Sequence, residues 1–200
     1  MIYQLDWNQR YAVDEYVYGT EPNAFLAEHA ETLIGPVLSL AEGEGRNAVF
    51  LASRGLQVHG VDGSEVGLAK AQALARLRSF AIQTEVADLG VFEPKANFYG
   101  SVISISAHLP GAIRKKLYPQ VERSLKRGGI ILLEAYSEEQ LLRDTGGPKD
   151  PDMLMTRAKI ESEFPNFEPI LLREIEREVC EGMYHTGIAS VVQFIGRKRA

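Results

Sequence analysis

The sequence is poor in cysteine, in basic charge and in long apolar runs, and each shortage excludes a class of protein. A single cysteine, Cys180, rules out an intrachain disulfide and is typical of a reducing compartment. Lysine and arginine number 22 against 27 acidic residues, and a net charge of −5 is opposite to that of a nucleic-acid-binding surface. Apolar runs such as residues 130–133 are far shorter than the ~18 residues of a membrane span. We expect a cytoplasmic protein without nucleic-acid or membrane partners.

Apolar segments alternate with amphipathic ones along most of the chain. Strands are predicted at residues 37–41, 57–61, 82–87, 102–106 and 130–136, each followed or preceded by a helical pattern. Such alternation requires crossover connections, which build a parallel sheet. Two last strands, at 171–179 and 188–195, follow a short helix at 156–164 and are joined without a helix, so they should pair as an antiparallel hairpin. The sequence predicts an α/β fold, a doubly wound, mostly parallel seven-stranded sheet with an antiparallel C-terminal strand.

The length of 200 residues indicates a single domain over residues 1–200. We divide it into an N-terminal segment at 1–35 and a core at 36–200; the resemblance described below implies that the first covers the bound ligand. The N-terminal segment contains a predicted helix at 21–33, with Pro22 suited to its first turn. No motif determines the oligomeric state, and no metal site is predicted.

Glycine and proline predict two further features of the core. Gly128 and Gly129 are expected to end the helix that precedes the fifth strand. Residues 143–153 are rich in Gly, Pro and Asp and lie after that strand, at the carboxyl edge of the sheet. Because ligands bind at this edge, we predict that the stretch is a movable lid.

The most informative stretch is L-A-E-G-E-G-R-N-A at residues 40–48, between the first strand and its helix. Gly43, Gly45 and Ala48 match the dinucleotide fingerprint in its G-x-G-x-x-A form. Asp62 lies 19 residues after Gly43 and ends the second predicted strand, where a ribose-binding acid belongs. A strand, a glycine turn, a helix and a terminal acid in this order predict a site for an adenosine cofactor.

The charge of the loop bears on which adenosine cofactor it holds. Glu42 and Glu44 flank Gly43, and a pyrophosphate ~4 Å from either would cost roughly 4 kcal/mol at an effective dielectric of about 20. S-adenosylmethionine (SAM) has no phosphate and carries a cationic sulfonium, so a nearby carboxylate attracts it. We therefore expect Glu42 to face SAM. An NAD(P)-dependent oxidoreductase remains the disfavoured alternative.

Three runs of residues carry a resemblance to a known family. V-L-S-L-A-E-G-E-G-R-N-A-V-F-L-A-S-R-G at 37–55, V-H-G-V-D-G-S at 58–64 and V-A-D-L at 86–89 resemble the successive motifs of Rossmann-fold SAM-dependent methyltransferases. The G-R-N-A-V-F-L-A portion is similar to the tellurite-resistance and thiopurine methyltransferase branch. The chain departs from the common first motif at Ser39, where the family usually has Asp. The resemblance implies SAM as the cofactor and methyl transfer as the activity.

The resemblance also implies which residues hold the cofactor. Loop residues would surround its methionine part, Asp62 would take both ribose hydroxyls, and Asp88 with the backbone of Leu89 would contact the adenine. Aromatic residues of the N-terminal segment suit a sulfonium through cation–π attraction. The full expected set is Trp7, Tyr11, Tyr18, Glu42, Gly43, Gly45, Arg46, Asn47, Asp62, Gly63, Ser64, Asp88, Leu89 and Ser106.

The methyl acceptor is less clearly indicated. The run S-I-S-A-H-L-P at 104–110 stands where amino-group methyltransferases carry an Asn or Asp, Pro, Pro, aromatic motif, so amide and base amines are disfavoured. His108 is the candidate general base for a small-molecule hydroxyl or thiol, whereas a chalcogen oxyanion would need little base. Tyr184 and His185, between the last two strands, could reach the acceptor pocket, but a solvated hairpin loop is the favoured expectation. A SAM-binding regulator without catalysis is the second reading.

Overall fold

A seven-stranded sheet runs through the computed structural model, which describes residues 6–199. The helices are α1 (Trp7–Tyr11), α2 (Ala24–His29), α3 (Arg46–Ser53), α4 (Glu65–Leu77), α5 (Gly111–Ser124) and α6 (Arg157–Glu163). The strands are β1 (Val37–Leu40), β2 (Val58–Asp62), β3 (Gln83–Val86), β4 (Tyr99–Ile105), β5 (Leu125–Tyr136), β6 (Phe167–Cys180) and β7 (Thr186–Lys198). Within residues 6–199, no helix has the length and apolar character needed to cross a bilayer.

The strand order is β3-β2-β1-β4-β5-β7-β6. Strands β1 to β5 pair in parallel, and β7 pairs antiparallel with both β5 and β6. This confirms the predicted doubly wound sheet and its antiparallel C-terminal strand. The order reverses between β1 and β4, which opens a crevice at the carboxyl edge where such folds bind ligands.

Side chains of the central strands alternate between two apolar layers. In β5, Ile131 and Leu133 pack with α5 and α6, whereas Ile130 and Leu132 pack on the opposite face with α2, α3 and α4. All four side chains are at most 3% exposed. Because both faces are covered, the central strands are apolar on both sides, which is the pattern expected of a parallel sheet.

The predicted helix at 21–33 is wrong in its bounds. Asn23 is the N-cap and accepts a hydrogen bond from the N–H of Leu26, so α2 begins at Ala24 and Pro22 lies before the cap. The helix ends at His29 and tightens into a 3₁₀ turn at Ala30–Thr32. The first five residues of the predicted N-terminal segment lie outside the described residues.

The role predicted for Gly128 and Gly129 is also wrong. Helix α5 ends at Ser124 and β5 begins at once with Leu125, so both glycines lie inside the strand. A Cβ on Gly129 would lie 3.0 Å from the backbone oxygen of Gly100, so glycine permits a close approach of β4. The pairing of β4 with β5 shifts register at the same point, between Tyr99 and Ser101.

We predict that two glycine-to-alanine changes in the left-handed region have unequal costs. Gly45 (φ +95°) and Gly55 (φ +84°) flank α3, but a Cβ on Gly45 would lie 2.6 Å from Cα of Ala71, whereas Gly55 has nothing within 4 Å. Gly55→Ala should lower the free energy of unfolding by about 1–2 kcal/mol through backbone strain. Gly45→Ala should lose about 1–3 kcal/mol more through overpacking. Urea unfolding measures both, and equal losses would contradict close packing at Gly45.

Candidate active site

The predicted site residues meet at the carboxyl edge of β1, β2 and β4. The turn after β1, which we call the glycine loop (residues 41–45), leads into α3 and carries Gly43 and Gly45. Asp62 ends β2, and Ser106 follows β4. The turn between β6 and β7 (residues 181–185) lies at the same edge because β6 runs parallel to these strands.

Asp62 is the link between the glycine loop and the start of α4. Its carboxylate accepts hydrogen bonds from the N–H of Gly43 (2.9 Å) and the N–H of Ser64 (2.7 Å). Burial raises the pKa of Asp62, and these hydrogen bonds oppose that rise. Ser64 caps α4 by accepting from the N–H of Gly67 at 3.0 Å. The acid expected to bind ribose is therefore held rigidly by backbone groups.

Open space adjoins Asp62 on the side of β3. A Cβ placed on the exposed Gly63 would meet only the backbone oxygen of Ala87, 3.9 Å away. Asp88 is exposed and accepts from the N–H of Gly90 at 2.8 Å, while Leu89 is 8% exposed. Pairing of β2 with β3 brings the three predicted residues Gly63, Asp88 and Leu89 to one edge.

Glu42 does not face the ligand side as the charge argument expected. Its side chain accepts a 2.9 Å hydrogen bond from the N–H of Ala48, another from the hydroxyl of Ser39, and packs against Gly60 of β2. Burial raises its pKa to about 7, against the effect of both hydrogen bonds. Glu42 lies beneath the glycine loop and supports it, so its charge is no argument against a pyrophosphate.

Glu44 contributes to a clasp on the N-terminal segment. Its carboxylate pairs with Nζ of Lys70 at 2.5 Å and accepts from the N–H of Tyr18 at 3.3 Å. The same ammonium donates to the backbone oxygens of Val13 (2.9 Å) and Glu15 (2.6 Å). Glu44 is only 5% exposed. This carboxylate is therefore neutralised by Lys70 and is not available to a cofactor's cationic end.

The predicted aromatic residues form a connected row over the site. Ring centroids of Trp7 and Tyr11 are 5.5 Å apart, those of Tyr11 and Tyr18 6.3 Å, and those of Tyr18 and His185 4.7 Å. The hydroxyl of Tyr11 comes within 2.8 Å of the position that a Cβ on Gly43 would take. Burial, and then the charge of Asp62, raise the pKa of Tyr11. The N-terminal aromatics thus pack directly on the glycine loop.

Two arginines and two glutamates form what we call the buried ion network: Arg46, Glu134, Arg177 and Glu181. Arg177 binds both oxygens of Glu134 (3.1 and 2.6 Å) and one of Glu181 (2.7 Å), and Arg46 binds the other oxygen of Glu181 at 2.7 Å. Burial acts to raise the pKa of Glu181, but the arginines hold it below its usual value. The network is electrically neutral.

Asparagine side chains connect this network to the N-terminal segment. Nδ2 of Asn23 donates to Glu134 at 2.7 Å and to Glu181 at 2.9 Å. The N–H of Asn23 donates to Oδ1 of Asn47 at 3.0 Å. Arg46 and Asn47, both predicted to contact a cofactor, are therefore engaged with protein groups at the first turn of α3. In the structure they hold neighbouring segments in place around the loop.

His108 lies at the carboxyl edge as predicted, but its acceptor nitrogen is already engaged by the protein backbone. Its Nε2 accepts a 3.1 Å hydrogen bond from the N–H of Tyr136, so that lone pair is engaged. Burial, and secondarily the charge of His185, lower its pKa to about 3. Its ring stacks on Tyr136 at 5.0 Å. The residue supports the start of the segment after β5.

The stretch at 143–153, the predicted lid, makes several hydrogen bonds with the rest of the protein. The hydroxyl of Tyr136 donates to the backbone oxygen of Thr145 (3.1 Å), and the amide of Gln140 donates to Oγ1 of Thr145 (2.7 Å). At its far end, Asp152 accepts from the N–H of Gly111 at 2.7 Å. Gly146 lies against Tyr184 and His185, where a Cβ would come within 2.5 Å of a backbone atom. The stretch closes the site from the side of β5.

A cavity of about 10 Å³ lies between the end of β4 and the β6–β7 turn. Its walls include Ser106, Tyr136 and His185 together with three members of the buried ion network. Ser106 has φ +55° and donates its N–H to the backbone oxygen of Glu134 at 2.8 Å. A space of this size holds about one water molecule.

Sequence reasoning missed Glu134, Tyr136, Arg177 and Glu181 and expected His185 in solvent, whereas His185 is 8% exposed. One feature of the sequence points to Glu134. Glu134 stands in the apolar run I-I-L-L-E-A-Y of β5, and Gln193 stands in S-V-V-Q-F-I of β7. A polar residue inside a buried strand needs a partner, because unpaired burial is costly. The amide of Gln193 indeed donates to Glu134 at 2.5 Å.

The raised pKa of Glu42 predicts a pH-dependent stability. Because the folded pKa of about 7 exceeds the ordinary 4.5, the contribution is complete below pH 4.5 and is lost as pH rises through 7. The unfolding free energy of the wild type, minus that of Glu42→Gln, should fall by up to about 1.4 kcal/mol per pH unit in this window. Urea unfolding of both proteins at several pH values tests this. Parallel profiles would show that Glu42 is ionised throughout.

Comparison with known proteins agrees with this geometry. The family model "Methyltransferase domain" matches residues 37–129, just under half of the chain, from β1 to the early part of β5. No curated protein matches the sequence.

Similar solved structures cover nearly the whole chain. One, from work on the conversion of a disulfide bond into a thioacetal group during echinomycin biosynthesis, has a TM-score of 0.79 at 18% identity and covers 96% of this chain and 91% of its own. TehB from Haemophilus influenzae has a TM-score of 0.71 at 17% identity, and the match covers 96% of this chain and 66% of TehB. A SAM-dependent methyltransferase from Anabaena variabilis has a TM-score of 0.70 at 19% identity, and the match covers 96% of this chain and 92% of that protein. At these identities the likeness concerns the fold.

The domain match and the fold are both consistent with methyl transfer. The matched residues include the glycine loop, Asp62 and the turn at Asp88. The domain match, and not the charge of the loop, disfavours the NAD(P)-dependent alternative. Residues 37–129 match a methyltransferase domain, and this match together with the fold supports a methyltransferase with S-adenosyl-L-methionine as its cofactor.

Proposed function

We propose that the protein methylates a small molecule that carries a hydroxyl or thiol group. The observation that supports this is the closure of the carboxyl edge by three segments: residues 6–23, the stretch at 143–153 and the β6–β7 turn. These segments contact one another, since the N–H of Met183 donates to the backbone oxygen of Val17 (2.9 Å) and Gly146 packs on His185. A nucleic acid or a protein surface would need an open groove at this edge.

The residues around Asp62 fit the adenosine part of the cofactor. When bound, SAM supplies a methyl group on a positively charged sulfur. We assign the ribose hydroxyls to Asp62, whose carboxylate is already oriented by two backbone N–H groups. The open space beside Gly63 accommodates the nucleoside, with Asp88 and Leu89 placed toward the adenine. The adenosine part thus lies on the exposed side of the crevice.

The methionine part belongs, in this proposal, beside the glycine loop and next to the aromatic row. Tyr11 and Tyr18 lie nearest the loop, and aromatic faces attract a sulfonium. Trp7 is 44% exposed and stacks on the outer side of Tyr11. Residues 6–23 then act as the cover of the cofactor, held by the Lys70 clasp. Excluding water here strengthens the electrostatic interactions that favour methyl transfer.

The charges near the cavity favour a neutral acceptor group over a chalcogen oxyanion. Both guanidinium groups of the buried ion network are already paired with carboxylates. An anion would have to compete with Glu134 and Glu181 for the same donors. A hydroxyl or thiol needs no charge partner, and the cavity has room for one such heteroatom. The remainder of the acceptor requires displacement of a covering segment.

Ligand-dependent melting tests the cofactor, and turnover tests the acceptor. We expect SAM and its demethylated product S-adenosylhomocysteine to raise the melting temperature, and NADH to leave it unchanged. Turnover is then measured with benzenethiol, phenol, tellurite and selenite, and we expect methylation of the thiol or the phenol. Binding of SAM without turnover on any of these would favour the non-catalytic regulator. Turnover on tellurite alone would contradict the argument from the paired arginines.

We predict that Asp62→Asn weakens binding of S-adenosylhomocysteine more than tenfold. A hydrogen bond to a charged group is worth about 1.5–3 kcal/mol, and the amide keeps only one acceptor oxygen. Glu65→Gln is the matched control, because it removes a nearby exposed charge at the first turn of α4. Calorimetric titration should show an unchanged dissociation constant for this control. An unchanged constant for Asp62→Asn would remove Asp62 from the site.

A further inference from the structure

Two histidines contact Tyr136 from different sides. The ring of His108 stacks on it at 5.0 Å with an interplanar angle of 14°, whereas that of His185 meets it nearly edge-on at 5.3 Å and 73°. The two rings differ in their hydrogen bonding. Nε2 of His108 is engaged by the N–H of Tyr136. Among residues 6–199, no group forms a hydrogen bond with either ring nitrogen of His185.

An unpartnered imidazole in this position calls for an explanation. His185 is 8% exposed, but its ring nitrogens are not among the fully buried polar atoms without a partner, so they remain accessible to a water molecule or a ligand. Its ring is fixed by Tyr18 at 4.7 Å, by Tyr136 and by the backbone at Gly146. The side chain forms part of the wall of the 10 Å³ cavity, which is large enough for one heteroatom. A ring that is held in place, makes no hydrogen bond to the described residues and lines this cavity is suited to contact a substrate.

We propose that His185 is a catalytic residue that accepts the hydrogen bond, and then the proton, of the acceptor's hydroxyl or thiol. This inference rests on the proposed function. The acceptor's lone pair forms the bond to the methyl carbon, and the electron pair of the broken carbon–sulfur bond stays on sulfur. The acceptor's proton moves to the imidazole and passes to solvent after product release. Atoms and charge balance without any other reactant.

The surroundings of His185 keep the ring neutral at pH 7. Burial lowers its pKa to about 4, and Arg46, Arg177 and Arg10 act in the same direction against Glu181. The other titratable groups that contact it or face it are Tyr18, Tyr136, Tyr184 and His108. A neutral ring has a free lone pair. Such a weak base is sufficient because the acceptor's proton becomes far more acidic as the methyl bond forms.

The first test uses NMR and does not depend on turnover. The chain has four histidines, so ring ¹⁵N signals of a histidine-labelled sample can be assigned with single variants. Phenol and benzenethiol are added to the complex with S-adenosylhomocysteine. We expect the ring nitrogens of His185 to shift, while those of His29 and His59, far from this edge, do not. If neither probe shifts His185, or if only His108 shifts, the proposal is overturned.

The second test measures kinetics with phenol or, if phenol is not turned over, with 2-mercaptoethanol, both of which keep their proton between pH 6 and 8. His185→Gln should lower kcat about 100-fold or more with a smaller change in KM. Wild-type turnover should be flat between pH 6 and 8, whereas the variant should gain up to tenfold per pH unit as the acceptor ionises by itself. His29→Gln is the control and should behave as wild type. Equal pH profiles for wild type and His185→Gln would overturn the base role.

Failure of this inference is distinguishable from failure of the proposed function. Binding of S-adenosylhomocysteine is measured by calorimetry for wild type and His185→Gln, and we expect dissociation constants within about threefold. Loss of binding in the wild type would contradict the proposed function itself. Retained binding and turnover, with no effect of the His185 change, would contradict the His185 assignment alone.

Discussion

The arrangement of the site depends on one buried, neutral group of charges. Arg46 begins α3 at the glycine loop, Glu134 lies in β5, Arg177 in β6 and Glu181 in the β6–β7 turn. Separating any pair would leave an uncompensated charge in the interior, which is far more costly than the intact pair. The four side chains therefore hold the antiparallel hairpin at a fixed position relative to the glycine loop. Asn23 connects the N-terminal segment to the same group.

That constraint explains why the carboxyl edge is covered. With Glu181 held by two arginines, the turn that follows places His185 against Tyr18 and Tyr136. The N-terminal segment is held independently by Lys70, whose ammonium binds Glu44 and backbone oxygens on the far side of the glycine loop. The cofactor crevice thus has an open side at Gly63 and a closed side at His185. Adenosine and acceptor would occupy opposite ends of it.

Several errors of sequence reasoning have a common physical origin. Glu42 and Glu44 were treated as charges facing a ligand, but each binds protein groups instead. Ser39 of β1 and Ala48 of α3 bind Glu42 from the two elements that the glycine loop joins, and Lys70 of α4 binds Glu44. Ser39 stands where the resembled methyltransferases usually have Asp. Glu42, three residues later, binds the loop from beneath instead.

The sequence by itself determined the order of strands and helices, the glycine loop and the acid that ends β2. These features depend on local periodicity and on backbone conformations that few residues adopt, so they can be read from neighbouring residues. Only the tertiary structure decided which histidine ring makes no hydrogen bond to the described residues. The sequence favoured His108 and expected His185 in solvent, whereas the structure buries His185 and engages His108 with a hydrogen bond from the backbone of Tyr136. Pairing across a sheet joins residues far apart in the chain, and a single sequence does not specify those partners.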